Sequence, residues 1–500
     1  MSPLDYIVIA VYVAGITLVG LAASRRKQTS IAEYFLGNRS VPWLAASASM
    51  VATGISAKSL IGLPGLSYTN DLTYLQMYIV LPLAALIAAT LFLPFYSRIK
   101  ITSAYEYLGR RFGHGVQSYA SLIFQIETAL ILGTVIAAPG LVMSEATGMS
   151  YNVAVAILLV ATLLYTSIGG MRAVIWTDVV QFFVFAAVPV GLLIYTVSTA
   201  EGGLSALIAT AAEHDKLRVF NFSFDFTEEI TFWAALVSML FWHTGNQSVN
   251  QVLIQRYMTT SSQRDSRRTI LLSSVGILGL WIIFLCVGIL LFSHNTLYPG
   301  SIPEGTQPDR VFTAFVMAVM PAGLKGAFIA AAFAAGMSTL SSMLNSMGTV
   351  TLVDVWQLHF DDGANELAWL RRARILTLVW GAFSFVSALY VLQFGTVITA
   401  GIKLGSVITG ALLGMFLLGI FVKRAGAVSA VTGSVLGMGS VVAVMAASEI
   451  SWSWYCGIGT VVTFASGYVT SLLSTPAVCP EGLSYEVLRD DGFGRPHDRG

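Results

Sequence analysis

Charged residues are scarce in this chain of 500 residues. Asp, Glu, Lys and Arg make up 11%, whereas hydrophobic residues make up 56%, and the mean hydropathy is +0.75. This balance excludes an ordinary soluble globular protein. The formal net charge of +1 supplies no basic surface, so no nucleic-acid partner is expected. Cysteine is scarce too, and Cys286, Cys456 and Cys479 indicate no disulfide framework.

Motifs of the common enzyme classes are absent as well. The sequence contains no GxSxG, HExxH or P-loop pattern, so no nucleophile, metal set or phosphate cradle is indicated. A channel would need a repeated pore segment, and a sensor would need more chain than the short tail after Ser474. We therefore expect a protein that is not an enzyme, with no cofactor and no obligate protein partner.

Apolar runs of the length that crosses a bilayer, about 20 residues, are abundant. The thirteen predicted spans are 5–23, 42–68, 73–96, 116–144, 151–168, 174–198, 231–253, 270–293, 324–349, 375–393, 396–421, 426–447 and 452–474. Of the 27 Lys and Arg residues, 21 fall in loops on one side of these spans. Because basic loops stay in the cytoplasm, we expect a multi-pass inner-membrane protein with its N-terminus outside and its C-terminus in the cytoplasm.

The segment from Phe328 to Gly348 could span a membrane, yet one of its ends is crowded with hydroxyl groups. On a helix, Ser338, Ser341 and Ser342 share a face at i, i+3 and i+4, with Ala335 one turn before. Hydroxyl oxygens beside small residues suit a hard cation such as Na⁺. Close packing between membrane helices would use the same residue types.

Four ionisable residues fall inside predicted spans: Lys58, Lys403, Glu127 and Asp178. Such residues are costly in a membrane and usually functional. The span that contains Lys58 is interrupted by Gly54, Gly62, Pro64 and Gly65, and the seventh span by the polar run from His243 to Ser248. Interrupted helices that each open a set of five spans indicate an inverted-repeat transporter with a site near the midplane.

Several segments together resemble the sodium:solute symporter family, the group of the proline, glucose, pantothenate and sialic acid symporters. In chain order they are EYFLGNRSVPWL, IGLPG, KITSAYEYLGRRF, GGMRAVIWTDVVQ, NQVLIQRY, FAAGMSTLSSMLNS and GALLGMFLLGIFVKRAGA. The resemblance covers about Asp5 to Arg424. It implies an all-α polytopic membrane protein of about 13 transmembrane helices, with a five-plus-five inverted repeat and a broken first helix in each repeat.

The same resemblance implies a division of the chain. One extra helix and a cytoplasmic loop occupy residues 1–40, and two extra helices occupy 425–475. The first repeat is expected at 41–200 and the second at 229–424, with an extracellular loop at 201–228 between them. Residues 476–500 are expected to form a cytoplasmic tail.

The resemblance also implies where sodium binds. Matching VATGIS and AAGMST position by position gives sodium site one: carbonyl oxygens of Ala52, Ile55 and Ala335, and hydroxyls of Ser338 and Thr339. Some members bind a second sodium, and the matching residues of site two are Asp178, Ser341 and Ser342, with Ser338 shared. A carboxylate that faces hydroxyls would form an anionic cage of oxygens. The alternative for Asp178 is an interfacial ion pair with Arg172.

In the substrate region the chain departs from the sialic acid symporters. Ile131 stands where they carry Arg and Tyr78 where they carry Gln, so sialate is not expected. Lys58 either binds a substrate carboxylate as a compact charge or forms a buried ion pair with Glu127. Trp242 and His243 could cap the cavity, although His243 could equally be a packing residue. The expected substrate-binding residues are Ser56, Lys58, Ser59, Gln76, Tyr78, Glu127, Trp242, Asn250 and Gln251.

Together these features predict a sodium-coupled secondary active symporter that imports a small organic solute by alternating access. The solute is expected to be a carboxylate, an amino acid or a sugar-like molecule, and the expected partners are this solute, Na⁺ and membrane lipid. The alternative is a proton-coupled symporter of the same fold, in which Asp178 or Glu127 carries the proton. The hydroxyl set favours sodium, because proton coupling needs no cage of oxygens.

Overall fold

The computed structural model describes residues 1–25, 28–360, 363–391 and 395–487, without the side chains of residues 391 and 395–402. Every regular element within these residues is helical. The α-helices are α1 Pro3–Ala23, α2 Ile31–Leu36, α3 Trp43–Gly54, α4 Ala57–Thr69, α5 Gln76–Ile79, α6 Leu81–Ile87, α7 Leu93–Ile99, α8 Glu106–Phe112, α9 His114–Thr147, α10 Tyr151–Thr199, α11 Gly203–Glu213, α12 Phe232–Ala234, α13 Leu240–Val249, α14 Gln251–Tyr257, α15 Gln263–Leu297, α16 Val311–Val319, α17 Leu324–Val350, α18 Gln357–His359, α19 Glu366–Val391, α20 Gly395–Phe421, α21 Ala427–Ala447 and α22 Tyr455–Leu473. Single π-helical turns at Ala88–Phe92, Ala235–Met239 and Thr351–Trp356 join α6 to α7, α12 to α13 and α17 to α18.

Within the described residues, helices lie in all thirteen predicted spans; the last residues of the tenth span, 392 and 393, are outside the described part of the chain. In the described part of the chain ten helices are long and apolar enough to cross a membrane, or eleven when α3 and α4 count as one bent span. α10 is 49 residues long and joins two predicted spans at a kink at Gly170, where φ is +56°. The interrupted stretch from α12 to α14 holds a further predicted span. Residues 26 and 27 and the end of the predicted tail, 488–500, lie outside the described residues.

The first predicted interruption is present, and it is two residues long. α3 ends at Gly54, residues Ile55 and Ser56 are extended, and α4 leaves at 60° to α3. The other predicted breakers, from Gly62 to Gly65, are wrong as breakers, because they lie inside the continuous helix α4. The N–H groups at the start of α4 bond to the carbonyl of Ser56. Carbonyl groups at the end of α3 are therefore left for other donors.

The second interruption lies at a different place from the one predicted. Residues 243–248 are helical within α13, and the chain leaves the helix at Asn250, with φ −84° and ψ 115°. The Asn250 side chain accepts the N–H of Val252 at 2.9 Å and so caps α14. Polarity does not break the helix here: the hydroxyls of Thr244 and Ser248 are buried without a hydrogen-bond partner among the described residues, while other polar side chains of the run do have partners. The Nε2 of His243, for example, lies 2.9 Å from the carbonyl oxygen of Met77.

Helix α17 is the centre of the bundle. Every residue from Phe328 to Val350 is buried, and the helix packs against α1, α3, α4, α9, α10 and α19. Its many small residues allow this close approach; a side chain at Gly336, for example, would meet Pro139 at 2.7 Å. The packing brings the hydroxyl face of α17 against the break between α3 and α4.

Candidate functional site

Five predicted oxygen ligands meet where α17 crosses the break between α3 and α4. The Oγ of Ser338 donates a hydrogen bond to the carbonyl oxygen of Ala52 at 2.7 Å. The Oγ1 of Thr339 donates to the carbonyl oxygens of Ala335 and Ile55, at 3.1 and 3.3 Å. All five residues are buried. This oxygen cluster, three carbonyls and two hydroxyls without nitrogen or sulfur, is the ligand type that a hard cation prefers.

A cavity of about 400 Å³ lies beside the oxygen cluster. Its lining consists of Ser56, Lys58, Ser59, Gly62, Leu63, Leu66, Tyr74, Leu130, Ile131, Thr134, Val135, Trp281, Thr339 and Met343. Thr339 belongs to both places, because it lines the cavity while its hydroxyl bonds to Ile55 in the oxygen cluster. A change at the oxygen cluster therefore reaches the cavity wall through a single side chain.

Lys58 supplies the positive charge of this cavity. Its side chain is exposed toward the cavity, and the other lining residues are apolar or carry neutral polar groups. Among the described residues, Lys58 forms no ion pair with a carboxylate. Glu127, the alternative partner, is buried and accepts a hydrogen bond from the Oγ1 of Thr409 at 3.4 Å. The geometry thus leaves Lys58 available to an anionic solute.

Two predicted substrate residues, Gln76 and Gln251, bond to loops instead. The Gln76 amide accepts the N–H of Asn221 at 3.2 Å and donates to the carbonyl of Ile230 at 3.3 Å. The Gln251 amide bonds to the backbone just before α8. It donates to the carbonyl of residue 102 at 3.0 Å and accepts the N–H of residue 104 at 2.8 Å. Both side chains use their donors and acceptors to position backbone, and neither lines the cavity.

The other predicted residues outside the lining are Tyr78, Glu127, Trp242 and Asn250. Tyr78 lies behind the cavity wall, where its ring stacks on that of Trp281. Trp242 and Glu127 both lie against Gly405 of α20. Ser56, Lys58 and Ser59 are therefore the predicted substrate residues that the structure brings to the cavity.

The second predicted oxygen set is in contact with Arg256, a residue that the sequence analysis did not place there. The Oδ2 of Asp178 accepts a hydrogen bond from Ser49 at 2.6 Å and lies 3.4 Å from the Nη2 of Arg256. The same nitrogen contacts the Oγ of Ser342. Arg256 is wholly buried and lies in the last turn of α14 rather than in a loop. Asp178 pairs with Arg256 rather than with Arg172.

The serine residues of that set stay on one face of α17 but bond mainly within the protein. Ser341 and Ser342 donate to the carbonyl oxygen of Ser338 at 3.0 and 2.5 Å. Ser342 also shares a 2.9 Å hydrogen bond with Thr53 of α3. The guanidinium of Arg256 thus lies between the carboxylate of Asp178 and the hydroxyl of Ser342.

Comparisons with known proteins extend over almost the whole chain. The profile of the "Sodium:solute symporter family" matches residues 34–437. The sodium/sialic acid symporter SiaT of Proteus mirabilis is 30% identical over 478 residues, which cover 95% of this chain and 96% of that protein. The sodium-coupled monocarboxylate transporter 2 of Bos taurus is 31% identical, covering 86% of this chain and 71% of that protein.

Solved structures show the same similarity. The substrate-bound outward-open state of a Na⁺-coupled sialic acid symporter superposes with a TM-score of 0.89, at 29% identity, over 95% of this chain and 98% of that chain. The closed conformation of Mhp1, a nucleobase-cation-symport-1 family transporter, superposes with a TM-score of 0.54 at 13% identity, over 91% and 97% of the two chains. The second comparison shows a common fold only.

Proposed function

The chain belongs to the sodium:solute symporter family, and from this premise we propose that the oxygen cluster is its Na⁺ site and the adjoining cavity its solute site. The chain is a multi-pass membrane protein and a sodium-coupled symporter of a small organic solute, not an enzyme, with Na⁺ as the coupling ion. The observation that carries the proposal is the position of Thr339, which is shared by the oxygen cluster and the cavity.

Coupling follows from how Na⁺ would change the hydrogen bonds of the oxygen cluster. In the structure, the hydroxyls of Ser338 and Thr339 donate to carbonyl groups at the break. A bound Na⁺ would take the carbonyl oxygens as ligands and turn the lone pairs of both hydroxyls toward itself. The ion would then hold α17 against the broken helix and fix the cavity wall at Thr339. Na⁺ and solute should therefore strengthen each other's binding.

The same arrangement explains how an ion gradient can drive the solute. The Na⁺ site lies in the interior of the bundle, between two helices of the membrane-spanning region. An ion that crosses a membrane potential of 100 mV releases about 2.3 kcal/mol per elementary charge. This free energy becomes available to the solute because both ligands are released together on the other side.

Asp178, Ser338, Ser341 and Ser342 are proposed as a second Na⁺ site that competes with Arg256. The guanidinium of Arg256 already contacts the carboxylate and the Ser342 hydroxyl. Because two cations repel each other at one carboxylate, Na⁺ can use these oxygens only when the guanidinium withdraws. The site would therefore fill in one conformation of the transporter and empty in the other.

The solute is proposed to be a small organic acid. Lys58 offers one cation to a cavity whose other walls are largely apolar, including Leu63, Leu130 and Ile131. The relatives are named as transporting sialic acid and monocarboxylates, and both kinds of molecule carry a carboxylate. Ile131 lies in the cavity wall, which supports the expectation that the solute is not sialate and has an apolar body.

Orientation and internal symmetry are proposed from the charge pattern and the family. The end of the bundle that carries Arg39 and Arg111 would face the cytoplasm, with the N-terminus outside and the protein in the inner membrane. The expected repeats, 41–200 and 229–424, each contain one of the two helix breaks. This orientation is tested by labelling single engineered cysteines in intact cells with a thiol reagent that cannot cross the membrane and with one that can.

Uptake into proteoliposomes tests the sodium proposal. Thr339→Val keeps the size of the side chain but removes the ligand oxygen, so the Na⁺ concentration for half-maximal uptake should rise at least several-fold. Thr339→Ser keeps the hydroxyl and is the matched control, with a small change expected. Ser338→Ala should behave like Thr339→Val. Equal sodium dependence in all four proteins, the wild type included, would exclude the oxygen cluster as the coupling site.

A further inference from the structure

An extended segment between α11 and α12 carries a row of exposed aromatic side chains. Phe220, Phe222, Phe224 and Phe226 occur at every second position, and Phe222 and Phe224 expose 62% and 68% of their surface. The ring centroids of Phe220 and Phe222 are 5.7 Å apart, and those of Phe224 and Phe226 are 5.3 Å apart. Side chains two residues apart lie on the same side of an extended chain. These four residues form one face, the phenylalanine row.

The residues between the phenylalanines form a polar face. The Nδ2 of Asn221 donates to the carboxylate of Glu228 at 2.8 Å, and the N–H of Ser223 donates to the Asn221 side chain at 3.1 Å. Asp225 accepts hydrogen bonds from the N–H and the hydroxyl of Thr227, both at 2.8 Å. The polar groups satisfy one another within the segment, so the segment has one aromatic side and one polar side.

Both ends of the segment are fixed to the bundle. The Nζ of Lys216 donates to three successive carbonyl groups at the end of α4, those of residues 68–70, at 2.9, 2.9 and 2.6 Å. At the other end the carbonyl of Phe226 accepts the N–H of Ser451 at 2.8 Å. The exposure of the phenylalanine row is therefore a property of an anchored segment.

The phenylalanine row continues the apolar surface at the start of the predicted span 231–253. The ring of Phe222 lies 5.1 Å from that of Phe232, and the ring of Phe224 lies 5.9 Å from that of Trp233, both at the start of α12. The next turn exposes Leu236 and Val237. Exposed apolar side chains on a spanning helix face lipid, and aromatic residues are enriched where such helices leave the hydrocarbon.

We propose that the phenylalanine row inserts into the interfacial layer of the bilayer. Soluble surfaces rarely expose a contiguous apolar patch of this kind, whereas a lipid interface accepts aromatic rings and leaves the polar face with Asp225 and Glu228 in water. Because Lys216 binds the carbonyl end of α4, the lipid-anchored segment also ties the bilayer to the helix that carries Lys58. The interaction is one of this chain with lipid and is independent of which solute is transported.

Spin labels read the depth of this segment directly. Cys286, Cys456 and Cys479 are first replaced by Ala, and single cysteines are then introduced as Phe222→Cys, Phe224→Cys, Ser223→Cys and Asp225→Cys. Each protein is labelled with a nitroxide, reconstituted into phosphatidylcholine vesicles and checked for sodium-dependent uptake. Collision of the label with oxygen, which concentrates in lipid, is compared with collision with a water-soluble nickel chelate. Phe220→Cys provides a further reading if one label disturbs folding.

Labels at 222 and 224 should collide several-fold more with oxygen than with the nickel chelate, whereas labels at 223 and 225 should show the reverse. Equal access of the nickel chelate to all four positions would overturn the proposal. Shielding of 222 and 224 from both reagents, with dipolar broadening between labels, would also overturn it, because the row would then face a second copy of the chain.

Discussion

Replacing Asp178 with Asn removes the charge that compensates the guanidinium of Arg256 inside the protein. Both side chains are wholly buried, and the Nη2 of Arg256 lies 3.4 Å from the Oδ2 of Asp178. Because loss of one partner leaves the other charge buried and unpaired, Asp178→Asn or Arg256→Met should lower the free energy of unfolding by about 3–5 kcal/mol. The double variant should recover part of the loss, with an interaction energy of about 0.5–3 kcal/mol.

Unfolding of the four proteins of this double-mutant cycle, measured by denaturant titration in lipid nanodiscs, tests the expectation. A second ion pair supplies the matched control: Asp265 and Arg268 are also 3.4 Å apart, but their side chains are 25% and 44% exposed. Arg268→Met should therefore cost only about 0–1 kcal/mol. Equal costs for the buried and the exposed pair, or strictly additive effects of the two buried substitutions, would refute the reasoning.

Three further predictions concern the solute site, the second sodium and the packing of the broken helix. Lys58→Met should leave the protein folded but abolish the thermal shift given by carboxylates, while Lys58→Arg retains part of it; a stable Lys58→Met protein that still responds to carboxylates contradicts the organic-acid proposal. Sodium activation of wild-type uptake should show a Hill coefficient above one, and Ser341→Ala should move it toward one; a wild-type coefficient of one removes the second site. A side chain at Gly65 would lie 1.5 Å from the carbonyl oxygen of Pro308, whereas one at Gly62 meets nothing within 4 Å. Gly65→Ala should therefore cost at least about 1–3 kcal/mol of stability and Gly62→Ala little, as measured by unfolding of the purified proteins; similar stabilities would contradict this packing.

Much of the fold could be predicted from the sequence because the bilayer sets the length and polarity of each span. Of the four residues predicted to interrupt the second span, Gly54 alone marks the break; glycine weakens a helix, but Gly62, Pro64 and Gly65 remain inside α4. The second break was harder to locate. Polarity alone suggested residues 243–248, yet those residues are helical, and the chain breaks at Asn250, where the side chain can cap the next helix.

The meeting of the five oxygen ligands could be predicted because the family resemblance located them in two short motifs on either side of a helix break. Gln76 and Gln251 show why the solute site could not be predicted in the same way: an amide inside a span serves equally well to bind solute or to position a loop, and only the packed structure separates these roles. Arg256 was missed because a basic residue at the end of a span indicates a cytoplasmic loop unless its buried partner is known.

The coupling through Thr339 is tested most directly by measuring solute binding and sodium binding on the same purified protein. Saturating Na⁺ should tighten binding of a transported carboxylate by at least about 5-fold, and the saturating carboxylate should tighten Na⁺ binding by the same factor. Thr339→Val should bring both factors close to one while the carboxylate still binds through Lys58, and Thr339→Ser should preserve them. Undiminished factors in Thr339→Val would contradict the proposal that this residue connects the ion to the solute.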